Sequence, residues 1–313
     1  MHISIYSAWI DISLIVTPDF LPLLFEGLTT PHTSIRLASA ELLYELVNKG
    51  MPPADKLELL RVLNVSEAIT QLLDSDDARK SSSSKGANGN GKGSGDSSEM
   101  ELFREKLARV LNVMGLELTR IVDEASATDD QKQAALSAAL AQRSLALRFL
   151  ADEYNDTSST VIPFFSSLMS IYKKEKKRAA QTHMTQEKTD FLNKLLEVTI
   201  QKMRYSSEEE WGGDDEDMDE NGQDEVVTAF LDFRKNLKTL FDAVAWIDFD
   251  LFASDIKGLI TRTLDSVDSG SQNLEWMDVE VALYALYLYG EPAQKGKLFP
   301  SLDPARLCPS SRT

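Results

Sequence analysis

Apolar residues return every three to four positions along almost the whole of this 313-residue chain, and nowhere do they alternate strictly. That period is the mark of amphipathic helices and leaves strand content negligible. Leu107, Leu111, Met114 and Leu118 form one stripe, and Ile162, Phe165, Leu168, Met169 and Ile171 form another. Pro18 opens a segment in which Phe20, Leu23, Leu24 and Leu28 share a face. Ser34 reads as the cap of the next helix, with Ile35, Ala38, Leu42 and Leu46 as its buried stripe. Asn48-Lys49-Gly50 reads as that helix's end, with Gly50 in the left-handed conformation. Pro52-Pro53 starts another, carrying Leu57, Leu60 and Leu63. Further helices are predicted over 100–122, 129–152, 161–177, 186–204, 226–247, 249–267 and 274–289. Many similar helices joined by short turns predict an all-α chain, an α-solenoid of HEAT-like antiparallel helix pairs (an ARM/HEAT superhelix) whose pairs start about 40 residues apart. A globular bundle is the alternative.

Three stretches interrupt the pattern. Residues 76–98 are Ser, Gly, Lys and Asn with almost nothing apolar, a composition that predicts a disordered loop. Residues 206–225 hold eleven acidic residues, three glycines and no basic residue. From residue 292 onward Pro292, Pro300, Pro304 and Pro309 predict an irregular tail. The helical stretches are therefore 1–75, 99–205 and 226–291.

The charge balance, 33 Lys plus Arg against 50 Asp plus Glu for a net −17, argues against indiscriminate nucleic-acid binding, which rests on neutralising phosphates. It leaves room for a local basic surface, because Coulomb interactions fade over about 8 Å at physiological salt. The single cysteine, Cys308, excludes an internal disulfide and fits a reducing compartment. No apolar run approaches the roughly 20 residues that span a bilayer, and residues 1–16 read as a core helix rather than a signal peptide.

Motifs for catalysis are missing. There is no phosphate loop, GxGxxG, HExxH or GxSxG, so no catalytic residue, metal or cofactor is predicted. His2, His32 and His183 lie far apart and read as isolated surface residues. Asp215, Asp217 and Asp219 hint at a calcium loop, but Gly222 falls too late for the register.

Two charged runs remain as candidate sites. Lys173, Lys174, Lys176, Lys177 and Arg178 end an apolar helix, where cations complement the macrodipole. Their functional reading is a phosphate-contact patch, although no aromatic residue interleaves with them in sequence as on a stacking platform. Glu208, Glu209, Glu210, Asp214, Asp215, Glu216 and Asp217 read as a solvated loop, or as a polyanion mimic that attracts a basic partner. Trp211 beside them is either an anchor for that partner or packed on its own helices. In the last helix Trp276, Val279, Leu283, Leu286 and Tyr287 fall on one face, which reads as core.

Six stretches, in order, resemble one family. Residues 7–16 (SAWIDISLIV) are similar to its S-W-I-D-I-x-L-I-V, and residues 45–57 (ELVNKGMPPADKL) to its E-I-V-N-K-G-M-x-P-x-D-K-x. Asp152 to Thr157 resembles D-E-Y-D-D-T, Val161 to Phe164 x-x-P-F, and Arg234 to Lys238 R-K-x-L-K. Trp276 to Glu291 resembles W-x-x-V-E-x-A-L-Y-x-L-Y-x-Y-G-E. By these motifs the chain resembles an internal piece of exportin-T, the tRNA exportins of the importin-β/karyopherin superfamily. The resemblance implies a HEAT-repeat receptor that binds mature tRNA with Ran-GTP in the nucleus, passes the nuclear pore proteins and releases its cargo in the cytoplasm, without catalysis or a membrane. It also implies that family members are several times longer, with Ran-binding repeats preceding residue 1. The competing expectation is a HEAT-type protein-interaction scaffold or a protein-cargo karyopherin with no RNA role.

Overall fold

The computed structural model describes residue 17 and residues 19–84, 94–178, 184–206, 225–270 and 274–294. Among the described residues the backbone is helix and connecting turn, with no strand. The helices are α1 (Phe20–Thr29), α2 (Thr33–Asn48), α3 (Pro53–Leu63), α4 (Val65–Ser84), α5 (Ser94–Asp123), α6 (Asp129–Ala141), α7 (Arg143–Leu150), α8 (Asn155–Thr160), α9 (Ile162–Arg178), α10 (Gln186–Lys202), α11 (Glu225–Ile247), α12 (Phe249–Asp268) and α13 (Trp276–Gln294). Two compact units divide the chain at residues 171 and 172, inside α9. The all-α, HEAT-like class predicted from the sequence is the class observed.

In the first unit α5 is the central element, packed against α2, α6 and α8. Leu107, Leu111, Met114 and Leu118 are buried on it, the stripe that the period predicted. A second face of α5 receives the start of α9. The Phe164 N–H donates to Asn112 Oδ1 (3.0 Å), and Ser167 Oγ donates to Thr119 Oγ1 (2.8 Å). Between these contacts lies Gly115, where a Cβ would stand 2.3 Å from the Phe164 ring. A hydrogen side chain is the condition for this close approach.

Among the charged side chains that the same unit buries are Lys56 and Asp152. Lys56 is fully buried, and its Nζ donates to Val47 O and Lys49 O (2.6 Å each) and meets Glu117 of α5 at 3.3 Å. Burial pushes the Lys56 pKa down, and the Glu117 carboxylate opposes that shift. Asp152 is buried against Arg104 of α5, while its other oxygen accepts the Tyr154 N–H (3.1 Å) and shapes the turn into α8.

In the second unit α11 packs against α10 and α12, and α13 packs against α12. Its polar centre is Arg234, only 3% exposed. The guanidinium forks onto Glu280 of α13 (2.8 and 2.6 Å), and Nε donates to Met203 O just past α10 (2.7 Å). Tyr205, Phe230 and Tyr284 surround it at 4.4, 4.9 and 4.6 Å. The bidentate pair fixes geometry as well as charge.

Several local expectations change. Gly50 is not left-handed; the positive φ values among the described residues belong to Asn64 and Gly270. The end of α2 is closed instead by the Lys56 ammonium, so its carbonyls need no glycine turn. Ser34 lies inside the first turn of α2, whose N-cap is the exposed His32. The buried face of α2 is Ala40, Leu43, Leu46 and Val47, with Ile35 48% exposed. Helix also claims both ends of the expected 76–98 loop: α4 continues to Ser84 and α5 begins at Ser94, with Asp76 buried beside Arg36 (3.8 Å). Residues 85–93 lie outside the described residues. Likewise α13 runs through Pro292 to Gln294; residues 295–313, with Cys308, lie outside the described residues. So do residues 1–16, expected as a core helix, and His183.

The stripe expected as core on the last helix is on the outside. Trp276, Leu283, Leu286 and Tyr287 are 56%, 57%, 44% and 62% exposed, while Met277, Val281, Ala282, Ala285 and Leu288 are buried. This helix is apolar on both faces, so period alone could not choose between them. The face with the small residues Ala282 and Ala285 lets the backbone approach, and it is the one packed inward.

Two stability predictions follow from these contacts. Gly115→Ala forces the Phe164 ring to move and lowers unfolding free energy by about 1–3 kcal/mol in urea titration. Gly50→Ala, which meets nothing within 4 Å, stays within about 0.5 kcal/mol. Glu280→Met strands the buried Arg234 charge and costs roughly 2–4 kcal/mol, more than Arg234→Met, which leaves a carboxylate that water can reach. The double substitution recovers part of the loss; simple additivity would show that the pair is not coupled.

Candidate functional site

The basic run occupies the last turn and a half of α9, on the second unit, where the helix leaves its apolar stripe. Its five cations have different surroundings. Lys173 is half-buried; burial pushes its pKa down, against the pull of Asp242. Lys174, Lys176, Lys177 and Arg178 are exposed.

Lys176 reaches the C-terminus of α11. Its Nζ donates to Trp246 O (3.1 Å) and Ile247 O (2.9 Å), two of the carbonyls that the end of a helix leaves without intrahelical partners. The macrodipole argument holds for Lys176, but the helix served is α11. The Lys176 and Lys177 ammoniums stand 5.4 and 5.7 Å from the centre of the Trp246 ring. Trp246 is the residue that sequence reasoning missed. No aromatic residue interleaves with the lysines in the chain; one arrives from α11, about 70 positions later.

Three acidic groups near this corner have other partners; Asp248, next to Ile247, accepts the Leu251 N–H (3.1 Å). Glu175, between the lysines in sequence, pairs with Lys188 (2.7 Å), whose ammonium also sits 3.8 Å over the Tyr172 ring. Asp242 of α11 pairs with Lys238 (2.7 Å). Among the described residues neither Lys176 nor Lys177 has a carboxylate within ion-pair distance. The carbonyl oxygens of a helix end carry only partial negative charge, so they offset an ammonium less than a carboxylate does.

Glu208, Glu209, Glu210, Asp214, Asp215, Glu216 and Asp217 lie outside the described residues, as does Trp211. Among the described residues no group of three or more His, Cys, Asp or Glu side chains could hold a metal ion, and no helix is long and apolar enough to cross a membrane.

Lys176→Met removes the donor from two α11 carbonyls and lowers stability by about 1 kcal/mol, the scale of a partly exposed cation at a helix C-terminus. Lys177→Met, which removes no hydrogen bond, stays within about 0.5 kcal/mol in the same thermal or urea unfolding measurement. Equal losses would remove the distinction between the two lysines.

A family model described as Exportin-T matches residues 129–310, more than half of the chain and inclusive of the basic corner, Arg234 and α13. The chain is 38% identical to the exportin-T of Coprinopsis cinerea over 292 residues, which are 93% of this chain and 26% of that protein. It is 36% identical to the exportin-T of Mycosarcoma maydis, over 91% of this chain and 26% of the relative. For the exportin-T of Laccaria bicolor the figures are 35%, 91% and 24%. The chain thus spans about a quarter of the length of these curated relatives. With a family model over its C-terminal half and long relatives matching nearly all of it, the chain belongs to the exportin-T family.

Proposed function

We propose that this chain is a segment of a nuclear export receptor that carries mature tRNA out of the nucleus together with Ran-GTP, acting by binding alone and shuttling through the nuclear pore. Family membership carries this reading. The fold supports it: stacked helices with buried ion-pair joints make a scaffold. Contacts to Ran-GTP and to pore proteins belong to the receptor as a whole.

Within the segment, the α9 basic end is the surface suited to tRNA phosphates. Of its five cations, Lys177 and Arg178 are exposed and, unlike Lys176, are not tied to the α11 carbonyls, so they are the better phosphate contacts. Lys173, half-buried beside Asp242, is the least suited.

A second reading, a HEAT-type scaffold for proteins without an RNA role, draws on the exposed Trp276, Leu283, Leu286 and Tyr287 of α13. Filter binding separates the two. A full-length receptor carrying this segment binds tRNA more tightly with Ran-GTP than without, and Lys177→Glu with Arg178→Glu weakens that binding. The slope of log K against log salt becomes shallower by about 1 for each phosphate that is no longer neutralised. No tRNA binding by the full-length receptor in either condition supports the protein scaffold instead.

A further inference from the structure

We infer that Lys176, Lys177 and Trp246 form a built phosphate site at the corner where the end of α9 meets the end of α11, and that an RNA backbone phosphate is its ligand. The RNA source rests on the function proposed above; the phosphate chemistry stands on the geometry of the corner.

Neighbouring residues on a helix point about 100° apart and do not normally face a common target. Here the consecutive Lys176 and Lys177 both bring their ammoniums within 6 Å of one indole. Their aliphatic stems have therefore turned toward Trp246, and two like charges are held against one half-buried ring.

The two lysines are held in unequal ways. Each ammonium has three N–H donors. Lys176 commits two of them to Trp246 O and Ile247 O, which fixes its nitrogen and leaves one donor for a ligand. Lys177 makes no hydrogen bond to the described residues, so its donors can turn to an anion while the ring holds the stem. One fixed and one adjustable ammonium suit a tetrahedral phosphate, which accepts from several directions. A lysine binds phosphate as a point charge, without the planar fork by which arginine matches carboxylates.

Many of the other described cations stand against carboxylates: Arg61 on Glu58, Arg104 on Asp152, Lys106 on Glu41, Arg120 on Glu117 and Glu124, and Arg234 on Glu280. Arg109, over the Tyr44 ring at 5.1 Å, is another cation held by an aromatic face. Near the corner Glu175 pairs with Lys188, Asp242 with Lys238, and Asp248 accepts the Leu251 N–H. In a chain of net charge −17, two adjacent lysines held by carbonyls and a ring carry a local excess of positive charge.

The test reads Trp246 directly. The emission of a full-length receptor carrying this segment minus that of its Trp246→Phe variant isolates this indole from the other tryptophans during titration with sodium tripolyphosphate and, separately, with tRNA in the presence of Ran-GTP. Anisotropy of end-labelled tRNA records binding independently of the corner. Lys177→Gln is the main variant, checked for unchanged far-ultraviolet circular dichroism, because Lys176→Met also uncaps α11. Saturable changes with both probes, each weakened about fivefold or more by Lys177→Gln, support the site and its RNA ligand. A Trp246 response to tripolyphosphate with no tRNA binding by anisotropy keeps the phosphate site and removes the RNA ligand. If tRNA binds by anisotropy while Trp246 stays silent and Lys177→Gln binds equally well, the site is overturned and the tRNA reading stands. Silence of Trp246 toward both probes also overturns the site.

Discussion

A helix ends with carbonyls that have no partners, and where the described residues are helix and turn throughout, every turn must deal with them. This protein repeatedly closes them with a cation from another helix. Lys56 of α3 donates to Val47 O and Lys49 O at the end of α2. Arg234 of α11 donates to Met203 O at the end of α10, and Lys176 of α9 donates to Trp246 O and Ile247 O at the end of α11. Each contact does two things at once. It satisfies orphan acceptors that a glycine turn or water would otherwise satisfy, and it ties a helix end to an element that local sequence could not specify. Where the cation is buried, a carboxylate balances it, Glu117 for Lys56 and Glu280 for Arg234. Where it is exposed, as at Lys176, solvent does.

This device explains which parts of the fold were legible in the sequence. Periodicity located the helices and the stripes of α5 and α9, because burial on one face repeats locally every three to four residues. It misjudged the end of α2, since the expected signal was Gly50 and the closing group is Lys56, six residues on and in the next helix. It chose the wrong face of α13, where both faces are apolar and only Ala282 and Ala285 distinguish the side that packs. It found the basic run but not Trp246, because nothing local to residues 173–178 announces a ring contributed by another helix.

The motifs that carried the family resemblance are, where described, parts of the scaffold. Lys56 closes a helix end, Asp152 pairs with Arg104, Phe164 lies on Gly115, and Arg234 joins Glu280 of another motif. These residues set the geometry of joints. A family recognised through such positions is recognised by its architecture, and that is why the motifs alone could not assign a tRNA contact.

The basic corner stands apart from that pattern because its charge is not consumed by the fold. A buried ion pair is a poor ligand site: each partner already has what it needs, and a competing anion would have to offset the desolvation and the broken pair. Arg234, with its fork on Glu280 and three aromatic neighbours, is strongly held and correspondingly inert. Lys176 and Lys177 are held by carbonyls and a ring, contacts that fix position while sparing charge. In an acidic scaffold that difference, more than the number of lysines in the run, decides where an anion can bind. It also separates Lys176, whose removal takes a donor from two helix-end carbonyls, from Lys177, whose removal costs the described fold no hydrogen bond. The two residues are neighbours of one type, and the structure gives them different work.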